Sequence, residues 1–297
     1  MTNRVASGRV YKRVPTTSIH RPAVLEYARM PLRCAVVLPI VLALLWAGSA
    51  AAQDGDRTDS LTLRSYLIYD VTGDSIAAVM NRDQRQPIAS LTKLMTAILT
   101  CERLRFDGRY ILSEAEAKTF GVETMRASKM LELMLVPSNN EICRVAARRV
   151  SGSEQAFTAE MNAKARQLGL SDTRFANATG LPAADQYSTM DDVLLLARVA
   201  LTYPRIRQAI RLSEVELAGK RYDGTLMPLY DRHPGLLGGK TGYTRAAGRC
   251  LVLLYTARGR DYIVITFGSK DVDAGFRDAE LVLSRHGLYD GEVGEWE

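Results

Sequence analysis

Apolar residues form short blocks near both ends of the chain, and blocks of this length predict β-strands. Residues 65–69 read Ser-Tyr-Leu-Ile-Tyr, mostly aromatic and branched, and residues 75–80 form a second block after the turn signal Thr72-Gly-Asp74. We therefore predict a β-hairpin at this end. Near the other end, the pattern favours strands over residues 249–255 and 261–267.

Between these regions, apolar residues recur three and four positions apart, which is the spacing of an amphipathic helix. The first helix is predicted to begin near Ser90. Further helices are predicted over residues 129–136, 141–150, 155–168, 190–200 and 274–285. Strands around a mostly helical part, about residues 90–215, predict an α+β fold whose antiparallel sheet combines residues 63–82 with 236–290.

Charge is unevenly placed along the 297 residues. The chain has 39 basic and 33 acidic residues, which gives a formal net charge of +6. Seven of the basic residues and one acidic residue lie in residues 1–52, so the remainder has 32 of each and is formally neutral. A basic surface of the kind that binds nucleic acid is therefore not expected.

Residues 1–52 have the pattern of an export signal. A basic start, Met30-Pro-Leu-Arg33, precedes an apolar run over residues 34–48 and the small residues Ser49-Ala-Ala-Ala52. The run is short for a membrane-spanning helix, which needs about 20 residues. We expect a cleaved signal with its true start at Met30, export to the periplasm without a stable membrane anchor, and a single domain over residues 53–297.

Cysteine usage gives little support to a metal site. Cys34 lies in the predicted signal, and the other three, Cys101, Cys143 and Cys250, lack the close spacing of metal ligands. We expect buried, unreactive thiols, while a disulfide between two of them stays open. No metal and no cofactor is expected.

Histidine chemistry is equally poorly represented. The three histidines, His20, His233 and His286, belong to no recognisable motif, and the chain has neither a GxSxG nor an HExxH sequence. This disfavours a histidine base in a hydrolase and favours a serine–lysine arrangement.

Ser90-Leu-Thr-Lys93 has the spacing that such a pair needs. Residues three apart share one face of a helix, so the Ser90 hydroxyl and the Lys93 amine can meet. Burial would lower the lysine pKa from its usual value of ~10.4 into the range of a base. Taken alone, the motif also fits a helix-capping serine and a solvated lysine.

Two further motifs favour the catalytic interpretation of Ser90 and Lys93. Ser138-Asn-Asn140 lies between two predicted short helices, and Lys240-Thr-Gly242 opens the carboxy-terminal strand region. Each alone would be an ordinary cap or a glycine-rich turn. In this order, the three motifs are similar to those of penicillin-binding proteins and β-lactamases.

The resemblance extends over residues 63–283 and is greatest to the low-molecular-mass D-alanyl-D-alanine peptidases. It is carried by the segments 87–97, 168–175 and 239–252, in addition to Met161-Asn-Ala-Lys-Ala and Thr179-Gly-Leu181. The family has a β-lactamase/transpeptidase-like fold, and it acts on peptidoglycan stem peptides and is acylated by β-lactam antibiotics. The resemblance implies the same for this chain.

The resemblance also implies roles for the motif residues. Ser90 is expected to be the acylated nucleophile and Lys93 its base, while Ser138 and Asn140 aid proton transfer and hold the substrate peptide group. Lys240 and Thr241 are expected to bind the substrate carboxylate, and Gly242 and Tyr243 belong to the same substrate-binding segment. The backbone N–H groups of Ser90 and Tyr243 would form the oxyanion hole. Lys240 would also be the cation that lowers the pKa of Lys93.

The expected activity is serine-type hydrolysis of D-Ala-D-Ala-type bonds, leaning to D,D-endopeptidase cleavage of cross-links. The preference for endopeptidase activity rests on the expected absence of a second β-rich domain and on the run Met130-Leu-Glu-Leu-Met-Leu before Ser138. The main alternative is a D-Ala-D-Ala carboxypeptidase. A β-lactamase is disfavoured because Glu160-Met-Asn162 does not supply its ExxLN spacing. A non-catalytic sensor is disfavoured because Ser90, Lys93 and Lys240 are intact, while a sensor that is itself acylated stays open.

Two departures from the family bear on substrate preference. Residues 226–230 read Leu-Met-Pro-Leu-Tyr, where relatives have an Asn-x-Asn pattern, and Asn139 stands where many relatives have glycine.

Overall fold

The computed structural model describes residues 60–291 and residue 293. The predicted signal sequence, its cleavage site and the domain boundary at residue 52 lie outside the described residues. Over the part of the chain that is described, no helix has the length and apolarity that crossing a membrane requires.

Strands cluster at the two ends of the described chain, with helices between them. In chain order the strands are β1 (Ser65–Asp70), β2 (Ser75–Met80), β3 (Arg109–Ile111), β4 (Thr124–Arg126), β5 (Glu214–Leu217), β6 (Lys220–Asp223), β7 (Leu236–Thr244), β8 (Gly248–Ala257) and β9 (Arg260–Ser269). The α-helices are α1 (Lys93–Arg103), α2 (Glu114–Phe120), α3 (Ala127–Leu135), α4 (Asn140–Ser151), α5 (Glu154–Leu168), α6 (Met190–Thr202), α7 (Pro204–Ala209), α8 (Met227–Tyr230) and α9 (Val272–Arg285).

Five strands form one antiparallel sheet in the order β2-β1-β9-β8-β7. Strand β1 pairs with its hairpin partner β2 and, on its other side, with β9, so that Leu67 lies opposite both Val79 and Ile265. The expected α+β fold, with a sheet built from both ends of the chain, is thus observed. Strand β7 carries the Lys240 motif at an edge of this sheet.

The sheet separates two hydrophobic cores because successive side chains on a strand point to opposite faces. Leu67 packs with α1 and α6 in the larger core, whereas its neighbour Ile68 packs with Phe276 of α9 in the smaller one. The apolar residues of β8 and β9 divide in the same way. Helices therefore cover both faces of the sheet.

Local side-chain chemistry explains where several helices begin. Asn139 accepts a hydrogen bond from the backbone N–H of Ile142, which starts α4 directly after the Ser138 motif. Thr189 and Asp271 do the same for α6 and α9. The predicted helices agree with the observed ones within one or two residues, apart from the first.

The first predicted helix was wrong at its start. Ala89–Thr92 forms a 3₁₀ turn, and the α-helix begins only at Lys93. The region predicted to be mostly helical also contains the short hairpins β3–β4 and β5–β6. Strands of three or four residues are too short to show a period in the sequence.

The described cysteines do not pair with one another. Cys101, Cys143 and Cys250 are free thiols, and the last two are buried, which answers the question of a disulfide among them. Burial raises the pKa of Cys143 and of Cys250 to about 11. A high thiol pKa leaves little thiolate at neutral pH, so these two cysteines are unreactive packing residues.

Candidate active site

The 3₁₀ turn and α1 bring Ser90 and Lys93 together. Lys93 Nζ lies 2.7 Å from Ser90 Oγ. In a 3₁₀ turn, residues three apart are eclipsed, so this local geometry produces the contact more directly than the predicted α-helix would. Ala89, just before the serine, has the left-handed backbone angle φ 46°, a conformation that costs free energy for a non-glycine residue.

Lys93 is completely buried, and its ammonium group donates three hydrogen bonds. Besides Ser90, the acceptors are Asn140 Oδ1 at 2.8 Å and the backbone oxygen of Thr179 at 2.7 Å. Burial, helped by the positive charge of Arg144, lowers the pKa of Lys93 to about 8. A lysine held in place with such a pKa is suited to act as a general base.

Ser138 and Lys240 form a second pair on the opposite side of the site. Lys240 Nζ lies 2.8 Å from Ser138 Oγ and 2.8 Å from the backbone oxygen of Thr241. Ser138 has the left-handed φ of 61°, at the junction of α3 and α4. Three motifs that are far apart in the sequence therefore meet at one place.

Lys240, like Lys93, is completely buried. Burial first, and the charge of Lys93 second, hold the pKa of Lys240 well below its usual value. Burial is the largest cause for both lysines, as expected for Lys93, but the cation that further lowers the pKa of Lys93 is Arg144 and not Lys240.

Two glycines allow the backbone segments of the site to meet. A Cβ atom on Gly242 would lie 2.7 Å from the backbone nitrogen of Ser90, so β7 passes directly against the turn that carries the serine. Gly180, with φ 83°, packs on that turn from the other side, where a Cβ would lie 1.9 Å from the Ala89 oxygen. Neither position has room for a side chain.

The loop around Gly180 supplies a contact that the sequence motifs did not reveal. The Asn177 side chain accepts hydrogen bonds from the backbone N–H groups of Thr179 and Gly180, which fixes the loop. The Thr179 oxygen is thereby turned toward Lys93. Thr179-Gly-Leu181 carried the family resemblance but was given no role. A contact made through a backbone oxygen has no signature in residue type.

Thr225 is a second residue that sequence reasoning missed. Thr241 Oγ1 donates to Thr225 Oγ1 at 2.7 Å, and the backbone N–H of Thr225 donates to the Val136 oxygen at the end of α3. Thr225 thus connects the Lys240 motif to the segment that leads into Ser138. It directly precedes residues 226–230, which depart from the family pattern.

The remaining predicted residue, Tyr243, follows Gly242 on β7, and its side chain is 43% exposed. Its backbone lies next to the Ser90 turn because Gly242 contacts that turn. Within the described residues, no cluster of histidine, cysteine, aspartate or glutamate side chains could hold a metal ion.

Comparisons with known proteins agree with this geometry. Residues 50–271 match the family described as D-alanyl-D-alanine carboxypeptidase, peptidase family S11. The carboxypeptidase DacF of Bacillus subtilis is 31% identical over 77% of this chain and 64% of its own length. The D-alanyl-D-alanine endopeptidase of Pseudomonas aeruginosa is also 31% identical, over 77% of this chain and 78% of its own length. The chain spans 64% and 63% of the lengths of DacF and the Escherichia coli carboxypeptidase DacC.

Solved structures with the same fold are penicillin-binding proteins. Penicillin-binding protein D2 of Listeria monocytogenes, in its ampicillin-bound form, is 28% identical, with a TM-score of 0.68 over 77% of this chain and 98% of that one. A mutant of the Streptomyces K15 DD-transpeptidase has a TM-score of 0.69 at 20% identity, over 77% and 99%, which shows the shared fold. From the family match over most of its length and the meeting of its three motifs, the chain belongs to the D-alanyl-D-alanine carboxypeptidase family of serine peptidases.

Proposed function

We propose that this protein is an exported serine D,D-peptidase that hydrolyses D-Ala-D-Ala-type bonds of peptidoglycan stem peptides through acylation of Ser90. One observation carries the proposal: the buried amine of Lys93 lies 2.7 Å from Ser90 Oγ. With a pKa of about 8, roughly a quarter of Lys93 is neutral at pH 7.5, compared with about 0.1% for an ordinary lysine.

In the acylation step, neutral Lys93 accepts the Ser90 proton while Oγ attacks the carbonyl carbon of a D-alanine residue. The backbone N–H groups of Ser90 and Tyr243 stabilise the oxyanion that forms. The C–N bond then breaks, and the leaving amine takes up a proton. Water later attacks the ester on Ser90, which releases the acid and restores the hydroxyl group.

The second pair of residues serves the leaving group. Lys240 donates to Ser138 Oγ, so the Ser138 hydroxyl hydrogen is free to pass to the leaving nitrogen, and the proton that Lys93 took from Ser90 is returned to Ser138, which restores both groups. In the proposed complex, the positive charge of Lys240 attracts the α-carboxylate of the leaving residue, and the Thr241 hydroxyl turns its hydrogen from Thr225 Oγ1 to that carboxylate. Asn140 holds Lys93 through its side-chain oxygen, which leaves its amide nitrogen to bind the substrate peptide group.

We propose D,D-endopeptidase cleavage of cross-links as the preferred reaction, with carboxypeptidase activity as the alternative. In cross-link cleavage, the leaving group is the amine of a second stem peptide and not free D-alanine. The exposed side chains of Tyr243 and Leu181 at the rim of the site support access of such a bulky group. The 31% sequence identity to the Pseudomonas endopeptidase also supports cross-link cleavage. The sequence identity to the Bacillus carboxypeptidase is the same.

Digestion of two purified substrates tests this preference. Cross-linked muropeptide dimers and monomeric pentapeptides are incubated with the protein, and the products are separated by chromatography. We expect dimers to be opened at least as fast as D-alanine is released from pentapeptides. Release of D-alanine with intact dimers would assign the protein as a carboxypeptidase. Acylation by penicillin without turnover of either substrate would assign it as a sensor, and rapid penicillin hydrolysis as a β-lactamase.

A further inference from the structure

A polar cavity of about 800 Å³ lies between helix α5 and the connection that leads from α5 to α6, residues 169–189. Arg166 of α5 lines it, together with Arg174, Asp185 and Tyr187 of the connection. None of the residues with a proposed part in the chemistry lines this cavity. A cavity of this size can hold a ligand as large as a disaccharide.

The connection between α5 and α6 links this cavity to the active site. Its Ala176 lines the cavity, and its Gly180 packs on the turn that carries Ser90. Gln186 accepts a hydrogen bond from the backbone N–H of Ala176 and donates one to the Leu181 oxygen, which braces the connection. Because Ala176 and Gly180 are four positions apart, the backbone between them spans at most about 14 Å. The cavity therefore begins within about that distance of the nucleophile turn.

The connection faces the acyl side of the scissile bond. Thr241, proposed to bind the leaving-group carboxylate, precedes Gly242, the residue that contacts the Ser90 turn. Residues 180–186 instead face Thr244 and Ala246, which follow Gly242. On the acyl side, a stem peptide continues toward its glycan strand. Three residues separate the attacked D-alanine from the sugar, and a chain of this length spans about 13 Å when extended. The sugars of a bound stem peptide can therefore reach the cavity.

The lining matches an uncharged ligand that is rich in hydroxyl groups. Arg174 and Asp185 form an exposed ion pair at 3.6 Å, so a donor and an acceptor lie side by side for sugar hydroxyls. Within the described part of the chain, the Arg166 guanidinium has no ion-pair partner. The Arg85 guanidinium stacks 4.9 Å from the centre of the Tyr187 ring and holds the ring in place. That ring offers an apolar surface to a sugar, and its hydroxyl group offers a hydrogen bond.

We propose that this cavity binds the glycan strand of peptidoglycan, at the amino sugars that carry the stem peptide being cleaved. The proposal rests on the proposed function and adds to it a second contact with the same polymer. When the peptide occupies the active site, the attached sugars are held close to the cavity, so their binding is intramolecular and adds to the affinity. Stem peptides linked to glycan are therefore cleaved in preference to free peptides.

Two substrates with the same stem peptide test this preference. One carries its disaccharide of N-acetylglucosamine and N-acetylmuramic acid, and the other is the free peptide with an acetylated amino terminus. The readout is kcat/KM for D-alanine release, or for cleavage of the corresponding dimers if only cross-links are cut. We expect the disaccharide substrate to be at least about 5-fold better, the effect of one or two net hydrogen bonds.

Binding of the sugars is measured separately from catalysis. Peptide-free oligosaccharides of the same two amino sugars are titrated into the Ser90→Ala variant, and the heat of binding is recorded. We expect saturable binding, and we expect Arg166→Gln in the same background to weaken it at least about 3-fold. This substitution removes a charge from an exposed position without adding volume, so the fold should tolerate it.

Ala159→Trp fills the cavity from an exposed position on α5. We expect it to reduce the ratio of kcat/KM between the disaccharide substrate and the free peptide to about 1, and to abolish binding of the oligosaccharides. The matched control is Ala156→Trp, an exposed alanine of the same helix that does not line the cavity. It should keep the ratio of the unmodified protein. Acylation by penicillin reports whether Ser90 stays competent in each variant.

Three outcomes would overturn the assignment of the cavity. They are an absence of oligosaccharide binding to the Ser90→Ala variant, equal kcat/KM for the two substrates, or the same ratio in Ala159→Trp as in Ala156→Trp. A failure of the proposed function looks different, because the unmodified protein would then cleave neither substrate. The oligosaccharide titration does not depend on turnover, so it would still decide whether the cavity binds glycan.

Discussion

Lys93 and Lys240 are both completely buried, and within residues 60–291 neither forms an ion pair with a carboxylate. Each instead donates to a serine hydroxyl, Lys93 to Ser90 and Lys240 to Ser138. Placing two cations in a low-dielectric interior without counter-charges costs stability, and it lowers the pKa of both. Burial of the two lysines thus lowers the stability of the folded protein. The same burial gives a lysine that can act as a base near neutral pH.

Ser90→Ala should abolish covalent labelling by penicillin and reduce peptide turnover at least about 10³-fold, because the nucleophile is removed. The thermal midpoint should change little, since only one oxygen atom is lost. Mass spectrometry of the penicillin-treated proteins measures the label. Persistence of the adduct in the variant contradicts the assignment of Ser90.

The rate of acylation should increase with pH with an apparent pKa near 8. Lys93 acts as a base only when neutral, so the rate is low below this pH and levels off above it. Stopped-flow measurement of penicillin acylation between pH 6 and 9.5 gives the profile. A pH-independent rate over this range would argue against Lys93 as the base.

The stability of the protein should also increase with pH between about 8 and 10. The folded state releases the Lys93 proton near pH 8, whereas the unfolded lysine holds it to about pH 10.5, so the unfolded state binds more protons in this window. Lys93 contributes a slope of up to about 1.4 kcal/mol per pH unit. Urea denaturation at several pH values tests this, and Lys93→Met should flatten the slope.

Lys240→Met should reduce acylation at least about 100-fold while leaving the thermal midpoint unchanged or higher. Methionine fills the same volume without placing a charge in the interior, and such replacements are often neutral or stabilising. Lys240→Ala would leave a cavity and is the less informative variant. A methionine variant that is acylated normally contradicts the role given to Lys240.

Thr225→Val should reduce kcat/KM about 5- to 30-fold because the Thr241 side chain loses the partner that orients it. Thr225→Ser keeps the hydroxyl and is the matched control, so it should retain most of the activity. Thr225 is a positioning residue, so the effect should lie mainly in KM if Thr241 binds the carboxylate. Equal losses in both variants would indicate a structural role only.

Exported protein should begin close to Gln53 if Ser49-Ala-Ala-Ala52 is the cleavage region. Amino-terminal sequencing of periplasmic material measures this directly. Full-length protein retained in the membrane fraction is the opposite result, and it would assign residues 34–48 to an anchor.

The sequence by itself determined the strands of the main sheet, most of the helices and the three motifs that carry the chemistry. Residues 65–80 and 249–267 could be predicted because alternation and turn signals are local properties. The motif residues could be identified because their three motifs, in this order, resemble those of a known family. The 3₁₀ turn at Ala89–Thr92 was not predicted, because it differs from an α-helix in its hydrogen-bond spacing, which the residue pattern does not show.

Only the tertiary structure decided how the motifs act together. Asn140 is 47 residues from Lys93, and Lys240 is 102 residues from Ser138, so no local pattern relates them. The burial of Lys240 and the contacts of Thr179 and Thr225 depend on what the rest of the chain packs around them. A side chain's solvation and the direction of a backbone oxygen are properties of the packed molecule, and the folded neighbours determine them.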